Sequence, residues 1–244
     1  MERTEDVTTP SSEDVTTLLN GVPRQRTPAP APPPEPAPEP RRPLWRRIPV
    51  PFTLGYTAVL AVTSYVADHA DPALVAALHQ GSSTDVAHLL RTPVLVLVAS
   101  ALWVSGGLAS PFTLAFLVVL TALERRVGAL RTAGVFLLGH TLATLATQIP
   151  VGLAVLVGHL PDSSLHRLDY GVSYGVAACA GALTGLLRPW LGRPLLAACT
   201  ALLIQDLLAL TDPLTNWGHL IALAIGVATW RTLRRPGVGL RAPR

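Results

Sequence analysis

Lysine is absent from this chain: all 19 of its basic residues are arginine. Charge of either sign is scarce, at 14% of 244 residues, where soluble domains average about 25%. That shortage, with half of the residues hydrophobic and a mean hydropathy of +0.43, argues against a soluble globular protein and for a membrane one. Cysteine is nearly absent too. Cys179 and Cys199 each lie inside an apolar run, where they read as small packing residues rather than a disulfide. The formal charge of +4 does not point to nucleic acid, because the arginines are scattered between apolar runs and form no patch with interleaved aromatics. No His, Cys, Asp or Glu spacing matches a metal site, and no Gly-rich phosphate loop or dinucleotide fingerprint occurs. No metal and no cofactor is therefore expected.

Residues 1–43 are polar and proline-rich. They hold a short repeat, Glu5 to Thr9 and again Glu13 to Thr17, followed by a proline tract from Pro28 to Pro43. Such a composition favours extended conformations and cannot build a core, so 1–43 reads as a disordered cytoplasmic tail. A docking site for a proline-binding domain is the functional alternative. This stretch has no secretory-signal pattern, and the first apolar helix is expected to act as the targeting signal itself. Residues 236–244 read as a basic tail.

Between them, 44–235 reads as an all-α, polytopic bundle with six transmembrane helices, near 48–67, 107–123, 129–149, 170–187, 193–211 and 217–233. Several fall short of the roughly 20 residues that cross a bilayer. This implies local thinning or helix ends buried in protein. The segment 84–105 is apolar but interrupted by Asp85, His88, Arg91 and Pro93, so it is either a seventh span or an interfacial element.

Arginine placement decides. With six spans, the flank Arg41 to Arg47, the loop Arg125 to Arg131, the loop Arg188 to Arg193 and the tail after Arg231 share one side. The other side keeps Arg91 and Arg167 beside Asp68, Asp71, Asp85, Asp162, Asp169 and Asp212. The positive-inside rule then puts both termini in the cytoplasm and makes this a multi-pass plasma-membrane protein, with 84–105 interfacial on the outer side.

Two polar residues near the outer ends of their spans stand out. Ser173 opens the fourth span, flanked by Gly171 and Gly175. With Gly181 and Gly185 these give small faces that let helix backbones approach closely. His219 follows Asn216, Trp217 and Gly218 at the start of the sixth. A lone membrane serine commonly bonds back to its own helix, and a histidine beside a tryptophan is a common interfacial anchor. Sharing one depth and one side, however, they are candidates for a nucleophile and its general base. Glu124 closes the second span, where a carboxylate can accept hydrogen bonds from an adjoining segment. His140, Gln148 and Asp206 are further polar groups at apolar positions, and Asp206 could orient His219 or bond Asn216 or water.

These residues carry a resemblance. Leu123 to Gly128 (Leu-Glu-Arg-Arg-Val-Gly) is similar to the acidic-basic-glycine motif that ends the second core helix of the rhomboid family, which comprises intramembrane serine proteases and their inactive relatives. Gly171, Val172 and Ser173 resemble the start of its nucleophile motif. Gly218 to Gly226 resembles its sixth helix, with Gly seven residues after His. The resemblance spans 48–233 and implies a six-helix serine endopeptidase, with Ser173 as nucleophile and His219 as base. Its substrates or clients would be transmembrane proteins within the bilayer.

The departures are specific. Tyr174 stands where active members carry Gly. Leu108 and Phe112 stand where the family's oxyanion-stabilising His and Asn would be expected. Two missing oxyanion donors, each typically worth about 10²–10³ in rate, argue for the alternative of an inactive relative that binds or sorts transmembrane helices, but the retained Ser173 and His219 keep the protease as the first reading. A transporter is a third, weaker reading, because no inverted repeat is visible. The Arg-only, Ala- and Leu-rich composition points to a GC-rich bacterial genome.

Overall fold

The computed structural model describes residues 50–104, 106–107 and 110–234, so the two tail readings, 1–43 and 236–244, and Leu108 lie outside the described residues. Among the described residues the chain is helical throughout, without a β-strand. Helix α1 is Pro51–His69, α2 Pro72–Gly81, α3 Val86–Arg91, α4 Pro93–Ser100, α5 Pro111–Val127 and α6 Ala129–Leu156. A 3₁₀ turn, Asp162–His166, precedes α7 Ser173–Leu186, α8 Pro189–Leu208, α9 Pro213–Ala228 and the short α10 Trp230–Arg234.

Most of the starts follow directly from sequence. Proline occupies the first helical position of α1, α2, α4, α5, α8 and α9, where its missing amide would have had no intrahelical partner. Asp71, Asp85, Ser110 and Asp212 cap α2, α3, α5 and α9 by accepting bonds from first-turn amides. The segment expected to be interfacial is two short helices, α3 and α4, broken at Thr92–Pro93. At 6 and 8 residues neither reaches across a bilayer.

Helices α5, α8 and α9 start at Pro111, Pro189 and Pro213 where the sequence reading put 107, 193 and 217, and the end of the third span differs most. The sequence ends the third span at 149, before Pro150, but α6 continues to Leu156 over 28 residues. A proline inside a helix forfeits one hydrogen bond. Unwinding the apolar stretch 151–156 would forfeit several, and that is worse in an apolar setting.

Of the helices, α6 and α8 are both long and apolar enough to cross a membrane on length and composition alone. Helix α7, only 14 residues long, is instead buried in protein. It packs against α9, α6, α5 and α8, and nine of its residues are buried. Contact is closest around Ala178. A Cβ on Gly139 of α6 would lie 2.0 Å from the Ala178 Cβ, and one on Gly226 of α9 would lie 1.9 Å from its carbonyl oxygen. Three backbones meet there because two of them lack a side chain, the small-residue packing typical of helices that cannot use water to drive association. Helix α8 has Gly192 as its one buried residue and leaves most of its surface exposed.

Charge is segregated at the two ends of this bundle. At the basic end, the carboxylate of Glu124, closing α5, accepts hydrogen bonds from the Phe52 and Thr53 amides at 2.8 and 2.7 Å and from the Thr53 hydroxyl at 2.6 Å. It thereby serves as the N-terminal cap of α1, which has no side-chain cap of its own. Gly128, at φ +85°, makes the tight junction that lets α6 start at once. The Trp230 indole and the Arg234 guanidinium donate to the Gly181 and Gly185 carbonyls near the end of α7. The opposite, acidic end gathers Asp71, Asp85, Asp169 and Asp212 at helix starts and in the loop before α7.

Candidate functional site

The acidic end holds a cavity of about 390 Å³. Its wall is built from the loop before α7, the start of α7, the start of α9, and single residues of other elements, among them Thr84, Phe112 and His140. Ser173 and His219 both line it.

Ser173 is the first residue of α7. The turn before it is held from outside the helix. Gly171, at φ +128°, adopts a backbone that a side chain would strain, and its amide donates to Ser100 O at 2.9 Å. The next amide, of Val172, donates to Trp103 O at 3.1 Å. Val172 gives α7 no side-chain cap. The amides of Ser173, Tyr174 and Gly175 therefore have no acceptor among the described residues, and the positive end of the α7 dipole sits at the cavity wall. The Ser173 hydroxyl does not bond back to its own helix, so the serine is not committed to the structural role common in membrane helices.

His219 lies half-buried on α9, and neither ring nitrogen has a hydrogen-bond partner among the described residues. No hydrogen bond joins it to Ser173. Its closest aromatic neighbour is Tyr174, whose ring stands edge-on at 5.2 Å and 73°. Trp217 points outward, half-exposed. Asp206 does not orient His219: its side chain is exposed, and its main-chain carbonyl accepts a bond from Asn216 Nδ2 at 3.0 Å.

The surrounding polar shell comes from residues far apart in sequence. The Asp169 carbonyl accepts from the Thr84 amide at 2.7 Å and the Thr84 hydroxyl at 3.0 Å, and its amide donates to Ser83 Oγ at 3.1 Å. Gln148 Nε2 donates to Asp169 Oδ2 at 2.9 Å. Burial pushes the Asp169 carboxyl above the usual carboxylate range, and the Gln148 amide and the Arg167 charge act against that rise. Arg167 pairs with Asp212 and donates to Thr215 Oγ1 at 3.3 Å, fastening the loop before α7 to the start of α9 beside the cavity. His140 is 2% exposed, and its Nε2 lies 3.1 Å from both Leu97 O and Ser100 Oγ, tying α6 to α4.

A sequence model of a family described as Rhomboid-like protein matches residues 46–237. The chain belongs to the rhomboid-like family. The match covers the whole described bundle, and this rhomboid-like protein is a helical membrane protein. No curated protein and no solved structure matches it.

Within the rhomboid-like frame, the sequence reading singled out Ser173 and His219, which line one cavity, and Glu124, which caps α1, but it missed the Thr84–Asp169 clamp and the Arg167–Asp212 strap. The partners in these are separated by 85 and 45 residues, so local patterning carries no signal for them. Among the described residues no group of three or more His, Cys, Asp or Glu side chains is placed to hold a metal ion. Cys179 and Cys199 are free thiols.

Proposed function

We propose that this rhomboid-like protein is a serine-type intramembrane endopeptidase with Ser173 as nucleophile and His219 as general base. The observation that carries the reading is the shared cavity, in which an uncommitted serine hydroxyl and an imidazole with two free nitrogens face the same space. In the proposed reaction His219 takes the Ser173 proton as Oγ attacks the scissile carbonyl. The developing oxyanion falls to the free first-turn amides of α7, which stand in for the donors absent at Phe112 and Leu108. His219 then returns the proton to the leaving amine, and water releases the acyl group by the same steps in reverse roles. Catalytic hydrogen bonds commonly tighten only when substrate is bound.

The substrates proposed are transmembrane segments entering at the acidic end. That end faces outward, α1, α5, α6, α7, α8 and α9 cross the plasma membrane with the short α7 enclosed by the others, and the arginine-rich end with both termini is cytoplasmic. This orientation rests on the arginine distribution and on its segregation from the aspartates at the two ends of the bundle.

A second reading, an inactive relative that binds or sorts membrane helices, is favoured by two observations: Tyr174 stands edge-on to His219, and the Ser173–His219 hydrogen bond is not made. The test is a fluorophosphonate probe applied to the detergent-solubilised full chain beside Ser173→Ala and His219→Ala. Labelling lost in both variants supports the dyad. Labelling that is absent, or indifferent to both substitutions, in protein that retains its helical circular dichroism moves the assignment to the helix-binding relative.

A further inference from the structure

A second, larger cavity of about 730 Å³ lies outside the Ser173 and His219 site. It is a cleft between α3 and the acidic-end half of α6, roofed by the 3₁₀ turn. Leu89 and Leu90 form one wall, Leu145, Ile149 and Leu153 the other, and Asp162 is its one charged lining residue. The cleft is open to the side: Leu90, Leu153 and Leu156 are 80%, 56% and 81% exposed. In a membrane protein such leucines face hydrocarbon. Gly152 narrows the junction, since a Cβ there would sit 3.1 Å from Val86 Cγ1.

The occupant follows from size and charge. A helix with side chains is about 10–12 Å across, so even two turns would overfill a space of this volume while α3 stays in place. A single flexible hydrocarbon chain fits it. The carboxylate of Asp162 marks the end of the cleft that lies level with the acidic end of the bundle, where a headgroup would sit. Of the two outer-side arginines, Arg167 is held by Asp212, and Arg91, at the end of α3, does not line the cleft. A cationic headgroup is thereby favoured over an anionic one.

We propose that this cleft is a lipid site that takes one acyl chain of an ammonium-headed phospholipid, with the ammonium group at Asp162. The site has a consequence for the neighbouring cavity. Gln148 lines the cleft, and its amide holds the Asp169 carboxylate, which lines the Ser173 and His219 cavity. The chain in the cleft therefore packs against the partition between the two.

The test uses the full chain in nanodiscs doped with phosphatidylethanolamine or phosphatidylglycerol carrying a diazirine in the acyl chain, with adducts mapped by mass spectrometry. Adducts are expected to concentrate on α3 and on residues 145–156, several-fold more with the ethanolamine lipid. Leu89→Trp, which fills the cleft, is expected to remove them while leaving adducts at Leu117 and Val118 on α5. Asp162→Asn, an exposed change that does not touch packing, is expected to erase the headgroup preference. Adducts spread evenly around the bundle, or unchanged in folded Leu89→Trp, overturn the proposal, as does adduct formation that favours the glycerol lipid. None of these readouts depends on hydrolytic activity.

Discussion

Tyr174 fits against Gly218: a Cβ on Gly218 would lie 2.5 Å from both the ring Cζ and the hydroxyl oxygen of Tyr174. The missing side chain on α9 is what admits the aromatic ring from α7, and the same contact sets that ring edge-on to His219. Replacing Gly218 by Ala is expected to push Tyr174 off His219 and, by releasing the imidazole, to raise fluorophosphonate labelling. Both helices are tightly packed here, so a stability loss of about 1–3 kcal/mol is expected as well. Labelling and melting temperature both unchanged would mean the fit is not tight.

The Tyr174 hydroxyl is buried without a hydrogen-bond partner among the described residues. Removing a group in that state forfeits no bond. Tyr174→Phe is therefore expected to leave the melting temperature within the equivalent of about 0.5 kcal/mol of wild type, or to raise it. A loss of several kcal/mol would show that the hydroxyl is satisfied by ordered water or by the neighbouring Thr147 and Thr215 hydroxyls.

Glu124 is 2% exposed and accepts three bonds at the start of α1. Glu124→Ala should cost about 2–4 kcal/mol, because two backbone amides and a hydroxyl lose a charged acceptor. Glu124→Gln, which keeps one acceptor oxygen, should cost less. Denaturant or thermal unfolding in micelles ranks the two, and equal costs would contradict the capping role.

Asp169 gives a pH signature of defined sign. Its folded pKa is raised by burial, so the stability linked to it is fully present below the unfolded value of about 3.9 and is lost as pH rises through the folded value. Asp169→Asn keeps an acceptor for Gln148 and removes the charge. The variant is expected to lose this slope from about pH 4 upward and to be at least as stable as wild type at neutral pH. A steeper slope in the variant would reverse the sign assigned here.

The Arg167–Asp212 pair is partly exposed on both sides, and a pair of that kind contributes about 0–1 kcal/mol. Its expected effect is on access. Arg167→Ala should free the loop before α7 from the start of α9 and speed labelling at Ser173, with little change in melting temperature. Slower labelling would mean that the strap organises the site.

Residue chemistry at single positions could be read without a structure. The glycine after Glu124, the arginine asymmetry and the candidate pair Ser173 and His219 all rest on local pattern and on depth along apolar runs. So did the capping capacity of Glu124, although its partners at Phe52 and Thr53 did not. Local pattern failed at Pro150, where a helix-breaking residue was overruled by the cost of leaving backbone unpaired in an apolar setting.

Tertiary structure alone decided which polar groups meet. It brought Thr84 to Asp169, Arg167 to Asp212 and Gln148 to the wall between two cavities. It also set Tyr174 against His219 through the absence of a side chain on Gly218. The physical reason is range. Caps and helix periods are settled within a turn of chain, whereas these contacts join segments tens of residues apart and exist only once α6, α7 and α9 have closed around Ala178.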